Sequence, residues 1–295
     1  MRSAWKDDML EVKEVNIAYG SVPAVRELSL AVGKSQIVGI VGESGSGKST
    51  LVRGVIGLLE KGGHITSGEI LLDGEPLIGK SEKEMARIRG SRMAMIFQQP
   101  ESSFDPIETV GRQFYETLRV HRKITKKEAW EQGLELLGRL HFDDPARVME
   151  SYPFELSGGM CQRAAIALGM ACNPRLLLAD EPTSALDVTV QAHTVQTLLE
   201  LRDAAGTSIL LVTHNMGVVA HMADFIGVMY GGRMVEWGAR DEILSHSAHA
   251  YTKALLQAIP KMGGSFTGHT PYAGGGMGDG EREWLSDTHW VWVER

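Results

Sequence analysis

Gly42-Glu43-Ser44-Gly45-Ser46-Gly47-Lys48-Ser49-Thr50 follows an apolar run, Ile37 to Val41, and precedes a helix-forming stretch that begins at Leu51. The pattern is a glycine, four residues, then Gly-Lys-Ser, set between a strand and a helix, and that context gives it meaning. The glycines let the backbone curl so that successive N–H groups point inward, and the helix N-terminus adds partial positive charge. Lys48 can reach the outer phosphates of a bound nucleotide, and the Ser49 hydroxyl can ligate Mg²⁺. Gly42, Ser44, Gly45, Ser46, Gly47, Lys48, Ser49 and Thr50 are therefore the candidate phosphate-binding residues, and the chain is expected to bind a nucleoside triphosphate.

Working outward, Leu10, Val12, Val15, Ile17 and Tyr19 give a loosely alternating strand, and Val25 to Val32 a second. Ile37 to Val41 is short and wholly apolar, as expected where both faces of a sheet are covered. Gly68 to Gly74 reads as a strand running into a turn, and Met93 to Phe97 as another short apolar strand. From about Val110 to Leu140 the period becomes helical and the sequence rich in charge, which reads as a helical insertion. Ser157 to Ala171 and Val190 to Ala205 are helices; Leu176 to Ala179 and Ser208 to Val212 are buried strands. Two strands from Asp224 to Trp237 turn about Gly231-Gly232, and a short helix covers His249 to Ala258. Strands alternating with helices imply an α/β fold with a parallel sheet covered on both faces. Gly263 to Gly280 is Gly-rich without periodicity and reads as a loose tail.

Composition sets limits. The 295 residues allow one large domain or two modest ones, with 43% hydrophobic and 23% charged residues. A net charge of −7 argues against a protein built chiefly to grip nucleic acid. No apolar run reaches the roughly 18–20 residues that span a bilayer, and Met1 to Asp8 lacks an apolar signal-peptide core. The expectation is a cytosolic chain that meets a membrane only through partners. Cys161 and Cys172 stand eleven positions apart on or beside one helix, about 16 Å along its axis. A disulfide needs less than about 7 Å between Cα atoms, so two reduced thiols are expected. His246, His249, His269 and His289 are irregularly spaced, and no metal site is expected of them.

Two further stretches carry chemistry. Leu176 to Glu181 is an apolar strand tipped by Asp180 and Glu181; beside a phosphate loop, Asp180 would reach the Mg²⁺ sphere and Glu181 could polarise an attacking water. Ser157 is a natural N-cap, and Gly158 and Gly159 would let an anion approach the helix N-terminus closely. Taken alone, each has a bland reading: many strands end in acids, and a capped helix is only a capped helix.

The order decides between the readings. A phosphate loop, Gln98 after an apolar strand, Ser157-Gly158-Gly159, the Asp180-Glu181 strand, then His214 after Ser208 to Val212 resembles the ATP-binding cassette family over residues 8 to 260. The resemblance implies a P-loop NTPase core with a RecA-like parallel sheet, an N-terminal antiparallel β subdomain and an inserted α-helical signature subdomain at about 100–172. It also implies roles. Tyr19 matches the aromatic that stacks on adenine; Gln98 contacts Mg²⁺ and water and reports to membrane subunits. Ser157, Gly158 and Gly159 close on the γ-phosphate of the opposite subunit. Asp187 lies in the loop that crosses the dimer seam, Glu181 is the general base, and His214 senses the γ-phosphate. ATP and Mg²⁺ are the implied cofactors, with Ser49, Gln98 and Asp180 as Mg²⁺ ligands.

Gln98 to Pro106 with Val110-Gly111-Arg112-Gln113, and His249 to Leu256, resemble segments of the peptide and nickel importer ATPases, as does Met160 in the signature. Many of those carry a cysteine-rich C-terminal segment for an iron–sulfur cluster. No cysteine follows Cys172 here, Asp287 to Val291 looks like a worn remnant, and no cluster is expected. The implied assembly has two transmembrane permease subunits, a second cassette ATPase in a heterodimer rather than a homodimer, and an extracytoplasmic solute-binding protein. It would sit at the cytoplasmic face of the inner membrane, with peptide ranked ahead of nickel or a metal–chelator complex. Soluble cassette ATPases that act on ribosomes or DNA usually carry two cassettes or a long coiled coil, neither of which this chain has. A small-molecule kinase would have no use for Ser157-Gly158-Gly159 and His214.

Overall fold

The computed structural model describes residues 8–184, 187–259 and 280–294, and divides into two compact units: residues 1–78 with 210–295, and residues 79–209. The first unit opens with β1 (Asp8–Tyr19) and β2 (Val22–Gly33). They are followed by β3 (Ile37–Val41), α1 (Lys48–Ile56), β4 (Gly63–Leu72) and the short β5 (Glu75–Pro76). β2, β1, β4 and β5 form an antiparallel sheet in that order. The alternation of β1 is loose for a physical reason. Glu14 has φ +48, and the register against β2 shifts between Val12 and Val15. One extra residue at this bulge resets the faces, so that Leu10, Val12, Val15 and Ile17 are all buried on one side. β4 begins five residues before the apolar pattern does, because its polar first half is sustained by pairing with β1 rather than by burial.

The second unit contains α2 (Glu82–Ile88), β6 (Met93–Ile96), α3 (Val110–His121), α4 (Lys126–Arg139), α5 (Pro145–Glu150), α6 (Gly158–Met170), β7 (Leu176–Asp180) and α7 (Val188–Ala205). β6 and β7 pair in parallel, Ile96 opposite Ala179. Helix starts are set locally: Ser81 and Glu84 form a capping box on α2, Thr125 and Glu128 another on α4, and Thr109 caps α3. The charged stretch at 110–140 is thus two capped helices broken at Arg122. Their apolar faces bury Phe114, Leu118 and Leu137 with Val148 and Met149 of α5. Gly133 lets α4 approach α5 closely: a Cβ there would stand 2.3 Å from Met149 Cε, and the methionine end would have to move.

β8 (Ser208–Thr213) carries the chain back to the first unit, which continues with α8 (Met216–Met222), β9 (Phe225–Tyr230), β10 (Arg233–Ala239), α9 (Arg240–His246) and α10 (Ala250–Gln257). It ends with β11 (Gly280–Trp284) and β12 (Trp290–Glu294). The sheet of this unit runs β11-β12-β10-β9-β3-β8. β3 and β9 are parallel, β9 and β10 form the hairpin about Gly231-Gly232, and the sheet is therefore mixed. The sequence reading placed no strand beyond Trp237. Instead, β11 and β12 form a second hairpin whose Trp290 lies opposite Trp237. Of the Gly-rich stretch 263–280, all but Gly280 lies outside the described residues, as do His269 and Ala185-Leu186. Among the described residues no helix is long and apolar enough to cross a membrane.

Candidate functional site

In the first unit, Gly42 to Thr50 bridges β3 and α1. Gly45 and Gly47 have φ +82 and +98, and Gly47 serves as the N-cap of α1 without any side-chain cap. The helix therefore begins with its N–H groups directed at the loop's concave side, an arrangement suited to anionic oxygen. The loop is wedged between two strands. A Cβ on Gly42 would meet the Met229 carbonyl oxygen at 2.2 Å, and one on Gly47 the Ala24 carbonyl oxygen at 2.4 Å. Only glycine fits at either place. Lys48 is buried, and its ammonium donates to the carbonyls of Gly42 at 2.7 Å and Glu43 at 2.8 Å. A single cation is thus fixed across a cradle of backbone donors, and this chemistry fits phosphate.

Tyr19 ends β1, half-buried, opposite Gly63, where a Cβ would stand 2.7 Å from its ring. His214 follows β8 directly and is exposed. The next turn is built by Asn215, whose side chain caps α8 and whose N–H donates to Thr213 Oγ1 at 3.0 Å.

In the second unit, β6 and β7 deliver Gln98 and the pair Asp180-Glu181 from the same edge, because the two strands are parallel and in register. Asp180 and Glu181 are buried, while Gln98 is exposed. Glu181 has φ +50, uncommon for a residue with a side chain. The turn is fixed by Ser184, whose N–H and hydroxyl both donate to the Glu181 carbonyl oxygen, at 3.1 and 2.9 Å. Ser157 caps α6 by accepting the Met160 N–H. Asp187 caps α7 by accepting from Thr189 and Val190, each at 3.0 Å. The first turns of α6 and α7 touch at Gly159 and Val190, so Ser157-Gly158-Gly159 and Asp187 are neighbours. Sequence spacing gave no sign of that.

Cys161 and Cys172 are free thiols, and burial lifts Cys161 to about 11 and Cys172 above its ordinary value. Two of the histidines serve the fold: His249 caps α10, and His289 faces Glu236. His246 lies in the last turn of α9. Among the described residues no cluster of His, Cys, Asp or Glu is arranged to hold a metal ion. The sequence reading missed Tyr251, whose hydroxyl accepts the Glu43 N–H at 2.8 Å from behind the phosphate loop. Its only signal was its place in a helix 208 residues away.

The sequence family described as ABC transporter matches residues 25–184, and the oligopeptide/dipeptide transporter C-terminal region matches residues 235–274. The chain is 43% identical over 259 residues to the oligopeptide transport ATP-binding protein OppD of Bacillus subtilis, covering 86% of this chain and 72% of that one. It is 43% identical over 244 residues to a second oligopeptide transport ATP-binding protein of the same organism, AppD, covering 82% and 74%. Among solved structures, a dimeric ATP-binding cassette in a post-hydrolysis state bound to ADP and Pi superposes with a TM-score of 0.71 at 28% identity, covering 79% and 99%.

Proposed function

Because the chain belongs to the ATP-binding cassette (ABC) transporter family, we propose that it is the ATP-hydrolysing subunit powering an importer of di- or oligopeptides. The observation that carries the reading is the phosphate loop, with two glycines that only glycine can occupy and Lys48 fixed across it. The peptide assignment is supported by the relatives named for oligopeptide transport. The cassette occupies residues 8–260 with its helical signature part at about 100–172, and 261–295 is a Gly-rich tail and degenerate family C-terminal segment whose residues 280–294 pair into the sheet through β12.

Each residue then has a task. The loop's N–H groups and Lys48 bind the phosphates, and Tyr19 stacks on the base. Ser49, Gln98 and Asp180 offer the oxygen donors that Mg²⁺ takes, and the ion when bound would neutralise charge on the phosphates. Glu181 accepts the proton of the attacking water, a role worth about 10²- to 10⁴-fold. His214 donates to the γ-phosphate. Ser157, Gly158 and Gly159 complete the site of an opposing cassette, and Asp187 lies at the seam. Two cassettes close head to tail, so ATP stabilises the closed dimer more than the open one. Closure passes through the region of Gln98 to Gly111 to a pair of transmembrane permease subunits. The partner cassette is a second, different chain. An extracytoplasmic binding protein delivers the solute, and this chain sits peripherally on the cytoplasmic face of the inner membrane.

The test is to tag the chain, solubilise the source membranes in mild detergent and identify what co-purifies. Two polytopic membrane proteins with a second cassette ATPase are expected. Recovery only from the soluble fraction with ribosomes or DNA would contradict the transport reading.

A further inference from the structure

The phosphate loop is braced by a chain of hydrogen bonds that runs from Glu43 to His289, the residue before β12. Tyr251, 1% exposed, accepts the Glu43 N–H through its hydroxyl, and its ring lies 4.7 Å from that of Tyr230. Its position is set at the start of α10, where His249 Nδ1 accepts the Tyr251 N–H at 3.1 Å. Burial holds His249 below its ordinary titration range, which keeps Nδ1 an acceptor. The turn before α10 is pinned in its own way. The Ala248 and His249 N–H groups donate to the two carboxylate oxygens of Glu236, at 2.6 and 3.1 Å.

Glu236 has no exposure to solvent, and a carboxylate can only accept. Its third donor is His289 Nε2, at 2.8 Å. His289 stands just before β12, which pairs with β10 through Val291 opposite Glu236 and Trp290 opposite Trp237. The hairpin is anchored twice more. Arg282 lies over the Trp290 ring at 4.9 Å and donates to the Glu27 carbonyl at 3.1 Å. Ser286 and Thr288 donate to Glu242 at 2.5 and 2.7 Å.

We propose that Tyr251 and Glu236 are positioning residues for nucleotide, and that the β11–β12 hairpin secures them through His289. The inference rests on the reading of residues 42–50 as the ATP site. Nucleotide phosphates need the Glu43 to Lys48 backbone held open, and Gly42 and Gly47 lie close against the backbone of Met229 and Ala24 on the loop's flanks. The Tyr251 hydroxyl supplies the support at the loop's start. The hairpin supplies the donor that keeps the buried Glu236 carboxylate in place beneath α10. A C-terminal segment remote in sequence thereby sets the geometry of the phosphate loop.

The full chain is tested by titration with a fluorescent ATP analogue and by amide hydrogen exchange of peptides spanning 42–50 without nucleotide. Tyr251→Phe keeps the ring and its packing, so its melting temperature should stay within about 4 °C of the parent. Its affinity should fall about 3- to 10-fold, the worth of one neutral hydrogen bond, and the loop amides should exchange faster. His289→Leu should speed the same loop amides, whereas His289→Gln, which retains an N–H donor, should restore them. Unchanged affinity and exchange in Tyr251→Phe overturns the proposal. A hairpin that frays in His289→Leu while the loop stays as protected as in the parent overturns the hairpin's part. Lys48→Ala is the control: if it binds the analogue as the parent does, the nucleotide-site reading fails instead.

Discussion

A Cβ on Gly159 would stand 2.7 Å from Val190 Cγ1, whereas a Cβ on Gly158 would meet nothing within 4 Å. Adjacent glycines in one signature thus have different reasons to be glycine. Gly159 lets the first turns of α6 and α7 pack; Gly158 faces outward from an exposed helix start.

Gly159→Ala should therefore destabilise the chain by about 1–3 kcal/mol, the usual cost of overpacking, seen as a lowered melting temperature. Gly158→Ala should leave the melting temperature of the isolated chain nearly unchanged yet slow ATP turnover of the assembled pair of cassettes. Normal turnover by Gly158→Ala would remove that glycine from the approach to phosphate.

Lys48→Ala should abolish ATP binding, because no other side chain in the loop carries a cation. Tyr19→Ala should weaken binding by about 1–3 kcal/mol, the worth of stacking on a base. Equilibrium titration checks both. Unchanged affinity in Tyr19→Ala would reduce that side chain to packing against Gly63.

Neither thiol should react readily at neutral pH. Cys161 sits near 11 because burial penalises its thiolate, and Cys172 is shifted the same way. The thiolate is the nucleophile, so alkylation by iodoacetamide should be slow in the native chain and complete after denaturation. A rise in rate is expected only at strongly alkaline pH. Rapid native labelling would contradict the burial.

Where function is written in consecutive residues, the sequence was readable. Gly42 to Thr50 stands out by its own chemistry, and Ser157 to Gly159 and Leu176 to Glu181 become candidates through their order along the chain. The bulge at Glu14 could be noticed only as a lapse in alternation between Val12 and Val15. Contacts between distant segments were not legible. Tyr251 meets Glu43 and His289 meets Glu236 across gaps that no periodicity records. β11 and β12 are five residues each, and β12 joins the sheet through β10, more than fifty positions away. Short strands that borrow order from a neighbouring sheet leave little pattern of their own.

The central claim, ATP hydrolysis by this chain driving peptide import, is tested most directly in proteoliposomes holding the purified complex. ATP is enclosed in the lumen, and the binding protein with labelled peptide is added outside. Peptide should accumulate only with ATP inside, and Glu181→Gln should abolish uptake while trapping an ATP-bound closed dimer, its turnover cut about 10²- to 10⁴-fold. Uptake that proceeds without ATP, or undiminished in Glu181→Gln, would contradict the account.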